Sequence, residues 1–178
     1  MSRSVKVLAV SAMCVALAAV TAMIKIFEFP TGGSITLCSM LFAALPGYFF
    51  GAPAGFAAGI VYGILQFILG PYVLTPVQVI LDYGLAFAVF GVSGFFRNGK
   101  HGLLFGYLAA VAGRFFFSFL SGWIFFGEYA WEGWSPAAYS AVYNIIYIGA
   151  EAVITVIIIS IPAVKNALAR VKKDVTSE

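Results

Sequence analysis

Long apolar runs follow one another from Val7 to Ala163 with only brief polar interruptions, and about 20 such residues are what a helix needs to cross a bilayer. In lipid every backbone amide must find its partner inside the protein, so a chain of this kind folds as a bundle of helices. The composition agrees. Only 10% of the 178 residues are charged and 62% are apolar, whereas a soluble domain carries roughly a quarter charged residues to cover its surface.

Glycine, proline and charge breaks divide the chain into spans near 7–25, 37–50, 53–70, 76–96, 103–124 and 139–163. The reading is an all-α integral membrane protein, a six-transmembrane-helix bundle forming one membrane domain over residues 1–178. Met1 to Lys6 followed by an apolar run resembles a secretory signal, but the run is long and lacks a cleavage-like stop, so it reads as the first span. Basic residues orient the bundle, because cytoplasmic loops retain Lys and Arg. Arg3, Lys6, Arg97, Lys100, Lys165, Arg170, Lys172 and Lys173 all fall on one side if there are six crossings, which makes the N- and C-termini cytoplasmic. The outward loops are then Phe27 to Thr36, Gly70 to Thr75 and Gly127 to Ala138. Cys14 and Cys38 have neither metal-ligand nor disulfide spacing and read as packing residues.

Small residues mark close helix approaches. Gly51, Gly55, Gly59 and Gly63 repeat every fourth residue in the third span and predict internal packing. Ala9, Ala12, Ala16 and Ala19 form a weaker stripe on the first span, suited to a partner helix.

Ionisable groups within the spans are the informative ones, since each is costly in lipid and persists for a reason. They are Asp82, Arg114 and Glu151. Gln78 precedes Asp82 by one helical turn and Tyr83 follows it, so an acid, an amide and an aromatic converge. That combination suits a cation, which a carboxylate neutralises and an aromatic face attracts. The competing reading is an Asp82 to Arg114 salt bridge, unless Arg114 lies near the cytoplasmic end of its helix and snorkels there.

A second cluster runs from Phe125 and Phe126 through Tyr129, Trp131, Trp134, Tyr139, Tyr143, Asn144 and Tyr147. An interfacial aromatic belt accounts for the tryptophans but not for Asn144, whose amide can pair with the edge of a heterocycle. Glu151 returns to the face of Asn144 about 10 Å deeper at 1.5 Å per residue. It either closes the floor of a pocket or pairs with Arg114. No two histidines share a helix, no nucleophile stands beside a base, His101 falls in a short loop, and no phosphate-binding loop is present. The sequence therefore suggests no enzyme, no metal and no cofactor. Lipid is an expected partner and nucleic acid is not.

Four stretches taken together resemble one family, the thiamine-specific S-components (substrate-binding subunits) of energy-coupling factor (ECF) transporters. They are Gly32-Gly33-Ser34-Ile35-Thr36-Leu37 with Ser39-Met40; Pro76-Val77-Gln78 leading to Leu81-Asp82-Tyr83-Gly84-Leu85-Ala86-Phe87; Phe119-Leu120-Ser121-Gly122 through Phe126-Gly127-Glu128-Tyr129-Ala130; and Tyr139-Ser140 with Tyr143-Asn144. The resemblance implies a six-helix bundle in a bacterial cell membrane, with an outward-opening vitamin site capped by the first outer loop. It implies that Asp82, Tyr83, Tyr139 and Asn144 hold the ligand and that Ala12 and Ala16 dock a membrane coupling protein. Two cytoplasmic ATPases would supply the ATP-driven energy that this chain has no means to supply. The chain also departs from the family. Some members have glutamate at the position of Asp82, histidine at Ser118 and tryptophan at Phe126, so charge is kept at 82, a weaker aromatic face at 126, and no stacking group at 118.

The resulting expectation is thiamine capture without covalent chemistry. Asp82 partners the positive or amino-bearing part, Tyr83, Phe126 and Tyr139 form stacking walls, and Asn144 meets a ring edge, with Gln78, Ser118 and Glu151 completing the site. Other readings are an S-component for another vitamin or pyrimidine precursor, or an intramembrane enzyme or proton-coupled carrier using Asp82 and Glu151 as a relay.

Overall fold

The computed structural model describes residues 2–29 and 33–177; residues 30–32, and with them Gly32 of the first resembling stretch, lie outside the described residues. Helix α1 (Arg3–Met23) is capped by the Ser2 hydroxyl, which accepts from the Val5 amide. Strands β1 (Lys25–Glu28) and β2 (Ser34–Thr36) pair antiparallel, with Phe27 opposite Ile35 and Glu28 opposite Ser34. Helices α2 (Ser39–Phe50), α3 (Ala52–Leu69), α4 (Pro76–Phe96), α5 (Gly102–Phe125), α6 (Pro136–Ser160) and α7 (Pro162–Thr176) follow.

The molecule is mostly helical; one detail departs from the all-α reading and two bear on the lengths of the spans. The segment read as the first outer loop carries a two-stranded antiparallel sheet, β1 beside β2, hereafter the hairpin. The last span stops at Ser160 because Ile161 is extended and Pro162, which needs no amide partner, opens a separate helix. Five helices are long and apolar enough to cross a membrane; α2, with 12 residues, is about 18 Å long at 1.5 Å per residue. It starts partway down the bundle, since its first turn is bonded to Glu151, well inside α6. The extended chain of β2 makes the first part of that descent. Apolar all round, α2 is the central post, packed against α1, α3, α4, α5, α6 and α7 with Met40, Leu41, Ala43, Ala44, Leu45 and Phe49 buried.

Gly55, Gly59 and Gly63 serve the packing that their spacing predicts. A Cβ on Gly55 would stand 2.7 Å from the Cα atoms of Gly47 and Gly91, and one on Gly59 or Gly63 would collide with the carbonyl oxygen of Phe87 or Tyr83. Gly51 has another role. It sits between α2 and α3 at φ +101°, a conformation that favours glycine. Of the alanine stripe, Ala9, Ala12 and Ala16 are exposed and Ala19 is buried.

The two chain ends meet at one end of the bundle, where Lys6 Nζ donates to the Ser177 carbonyl at 2.7 Å. There Lys172 Nζ donates to the Arg97 carbonyl beyond α4 and lies 4.0 Å from the Tyr48 ring centre. Burial, reinforced by Arg97, holds the Lys172 ammonium below the usual lysine range. The hairpin and the 70–75 and 126–135 connections occupy the opposite end.

Candidate ligand-binding site

A cavity of about 660 Å³ opens at that opposite end, bounded by α3, α4, α5 and α6 and roofed on one side by Gly33, Ser34 and Thr36 of the hairpin. Its volume lies within the range of about 300–1,000 Å³ usual for small-molecule sites. The structure brings Gln78, Asp82, Tyr83, Ser118, Phe126, Tyr139, Asn144 and Glu151 together on its wall.

Asp82 is held by neutral donors. Gln78 Nε2 donates to its Oδ2 at 2.6 Å and Ser121 Oγ to the same oxygen at 2.8 Å. Gln78 is itself fixed, because its Oε1 accepts from the Leu74 amide at 3.1 Å and its amide caps onto Thr75 Oγ1. Oδ1 accepts no hydrogen bond among the described residues, which leaves one carboxylate oxygen for a guest. The local backbone is π-helical over Ile80–Leu85, a widened turn common at functional sites. Tyr83 turns its hydroxyl to the loop, accepting from the Tyr72 amide at 2.9 Å and donating to the Gly70 carbonyl.

Aromatic rings line the rest. Phe126 stacks on Tyr72 with centroids 5.6 Å apart, and Tyr72 and Tyr129 share a hydroxyl hydrogen bond of 2.7 Å at the mouth. That bond pushes the Tyr72 phenol above its ordinary value. Tyr139, Tyr143 and Tyr147 follow one another at four-residue spacing on α6; Tyr139 stacks on Tyr143 at 5.6 Å, and Tyr143 meets Tyr147 edge-on at 5.4 Å. Asn144 is buried and already engaged: its Nδ2 donates to the Ser140 carbonyl at 2.8 Å, and its Oδ1 accepts from the Tyr147 hydroxyl at 2.7 Å. It therefore ties the aromatic ladder together as well as facing the cavity.

Two sequence-based alternatives fall. Arg114 does not snorkel to a helix end; it is the thirteenth of the 24 residues of α5, lines the cavity, and sets its guanidinium carbon 4.4 Å from the Phe87 ring centre. Nor does it pair with an acid, for the ion pair found among the described residues joins Lys25 and Glu28 at the mouth. Glu151 accepts instead from the Thr36 amide and hydroxyl at 3.2 and 2.6 Å, from the Ser39 hydroxyl at 3.0 Å and from the Met40 amide at 2.9 Å.

Cavity residues that the sequence did not single out for binding include Arg114, Tyr143, Tyr147, Tyr62, Gln66 and Tyr72. The i, i+4 spacing of Tyr139, Tyr143 and Tyr147 is a signal that could have found two of them. Tyr72 lies in a connection without periodicity and gave none.

A bundle of membrane-crossing helices that closes on a polar, aromatic-walled cavity open at one end defines a small-molecule-binding membrane protein. Within that class the chain belongs to the thiamine transporter protein family (Thia_YuaJ), whose model matches residues 8–170. It is similar to the thiamine transporter ThiT of Bacillus subtilis (strain 168), 31% identical over 146 residues that cover 74% of this chain and 76% of that protein. It is also similar to ThiT of Lacticaseibacillus paracasei, 33% identical over 104 residues covering 49% and 52% of the two chains. The solved structure of ThiT from Listeria monocytogenes superimposes with a TM-score of 0.72 at 26% identity, covering 88% of this chain and 90% of that one.

Proposed function

We propose that this protein captures thiamine at the cell surface as the substrate-binding subunit of an ATP-driven uptake transporter, with no cofactor of its own. The observation that carries the reading is Asp82, a carboxylate on the cavity wall whose hydrogen-bond partners among the described residues are uncharged and whose Oδ1 accepts no hydrogen bond there. Arg114 lines the same cavity without forming an ion pair with Asp82, so a cationic ligand can take the place beside Oδ1. Thiamine offers a positively charged ring and an amino-bearing ring, which suit one acidic acceptor among stacked aromatic faces. Tyr83, Phe126 and Tyr139 serve as walls, Gln78 orients the acid, and Ser118 and Asn144 present polar groups to a ring edge.

In this reading six segments cross the membrane, α2 being the short one, and the basic end of the bundle is cytoplasmic. The cavity then opens outward. Ala12 and Ala16 on α1 dock the coupling protein through which two cytoplasmic ATPases act. The membership of the family and the names of the ThiT relatives support the ligand, and the exposure of Ala12 and Ala16 supports the docking face.

Titration of the purified protein with thiamine tests the proposal, read by the fluorescence of Trp131 and Trp134, which lie by the mouth. One saturable site is expected. Absence of saturable binding overturns it.

A further inference from the structure

We propose that Glu151 is a positioning residue that clamps the roof of the cavity, fixing how long a ligand stays without touching it; the ligand part of this inference rests on the function proposed above. Glu151 looks like a second acidic recognition group, for it lines the cavity and is 3% exposed. Its bonding says otherwise. Oε1 accepts from Ser39 Oγ and the Met40 amide, and Oε2 from the Thr36 amide and hydroxyl, at 2.6 to 3.2 Å. A carboxylate offers about four lone-pair positions; the Thr36 hydroxyl also lies 2.7 Å from Ser39 Oγ and has one proton for the two, so at most one position is left for a guest. Asp82 presents the opposite case, with one oxygen doubly engaged and the other open.

All four donors come from one short stretch, the end of β2 and the first turn of α2. One of them, the Met40 amide, is a first-turn donor of α2 that would otherwise be orphaned, because the N-cap residue Cys38 is in the left-handed region and makes no side-chain cap; the second backbone donor is the Thr36 amide at the end of β2. A carboxylate from α6 thus does in trans what an N-cap does locally, and its charge faces the positive end of the α2 dipole. The same stretch leads back to Gly33, whose amide donates to the Tyr143 hydroxyl at 2.7 Å. The hairpin roof therefore hangs from α6 at two points, one aromatic near the mouth and one anionic at its base. Cutting the anionic one frees the roof while leaving Asp82 and the aromatic walls in place.

The test combines hydrogen exchange on the ligand-free protein with thiamine binding kinetics for Glu151→Gln, Thr36→Val and Asp82→Asn. Charge-assisted hydrogen bonds contribute enough that losing them should speed both amide exchange at Thr36 and Met40 and thiamine dissociation by at least about tenfold in Glu151→Gln, with association nearly unchanged. Exchange elsewhere in α3 to α5 should stay as in the parent, which a general loss of stability would not allow. Thr36→Val, which removes one donor and leaves the carboxylate, should show the same pattern in weaker form and should be non-additive with Glu151→Gln. Asp82→Asn should weaken binding with exchange at Thr36 and Met40 unchanged. If Glu151→Gln weakens binding while exchange at Thr36 and Met40 stays at the parent rate, Glu151 is a ligand contact and the proposal is wrong. If Glu151→Gln fails to fold, Thr36→Val alone decides by the same two readouts. Failure to bind thiamine in the parent protein would refute the proposed function, yet the exchange measurement would still judge the clamp.

Discussion

A carboxylate at the centre of a membrane helix costs about 2.5 to 3.5 kcal/mol on insertion scales, and the two acids within the spans of this protein meet that cost differently. Glu151 is met by protein donors on both oxygens, whereas Asp82 is held by Gln78 and Ser121 through one oxygen. In Asp82→Asn the amide oxygen can still accept from Gln78 and Ser121, but an NH₂ group replaces the free acceptor and the charge is gone. The expected result is a loss of thiamine affinity of at least about tenfold by calorimetry, or ~1.4 kcal/mol, with Asp82→Glu retaining most of the binding. Gln78→Met should give a smaller loss, because the carboxylate keeps its charge and loses only one of the two groups that aim it. Gln78 beside Asp82 was legible from i, i+4 spacing, and the structure realises it as a hydrogen bond of 2.6 Å. The span boundaries already put Arg114 near the middle of its helix, but that it faces the cavity and the Phe87 ring was not legible, since the neighbours that set this lie on other helices.

At the level of elements, the site depends on how closely α3 lets α4 approach. Gly63 faces the Tyr83 carbonyl within the π-helical turn that carries Asp82, and no room exists there for a methyl group. Gly63→Ala should therefore push that turn away from α3 at a cost of about 1–3 kcal/mol, lowering both the unfolding temperature in detergent and the affinity for thiamine. Gly149→Ala is the control, because a Cβ there meets only an Ile145 methyl at 3.9 Å, its backbone is helical and it does not line the cavity, and it should lower neither. The glycine period announced this packing in the sequence because close helix contact requires missing side chains. Long helices and their breaks were legible for a similar reason, as lipid demands uninterrupted apolar length. The π-helical turns at Ile80–Leu85 and Ile145–Gly149 and the hairpin were not. A one-residue widening leaves the apolar pattern of a span intact, and a hairpin of three- and four-residue strands is held by contacts to Tyr143 and Glu151 more than 100 residues away in the chain.

For the whole molecule, the positions of its surfaces separate capture from transport. The cavity opens at one end of the bundle, the basic residues gather at the other, and Ala9, Ala12 and Ala16 lie exposed on the flank formed by α1. Small residues on a lipid-facing flank gain nothing from lipid, which packs as well against larger side chains; they gain when another helix comes close enough to use the space. The face holding Ala12 and Ala16 is separate from the cavity, whose α1 contribution is limited to Ala22 and Met23 at the mouth end. Ala12→Leu combined with Ala16→Leu should thus leave thiamine affinity within about twofold of the parent, while the two added isobutyl groups block close helix approach and lower uptake in cells by on the order of tenfold or more. Uptake of labelled thiamine and binding by the purified variant must be measured side by side, since the expectation concerns their separation. Equal loss of both would show that α1 supports the binding fold, and undiminished uptake would show that the proposed docking face is not on α1. An Asp82→Asn protein with the alanines intact should show the complementary behaviour, weak binding with an unaltered α1 face, and, if that face docks the proposed coupling protein, should lower uptake by the parent when the two are expressed together.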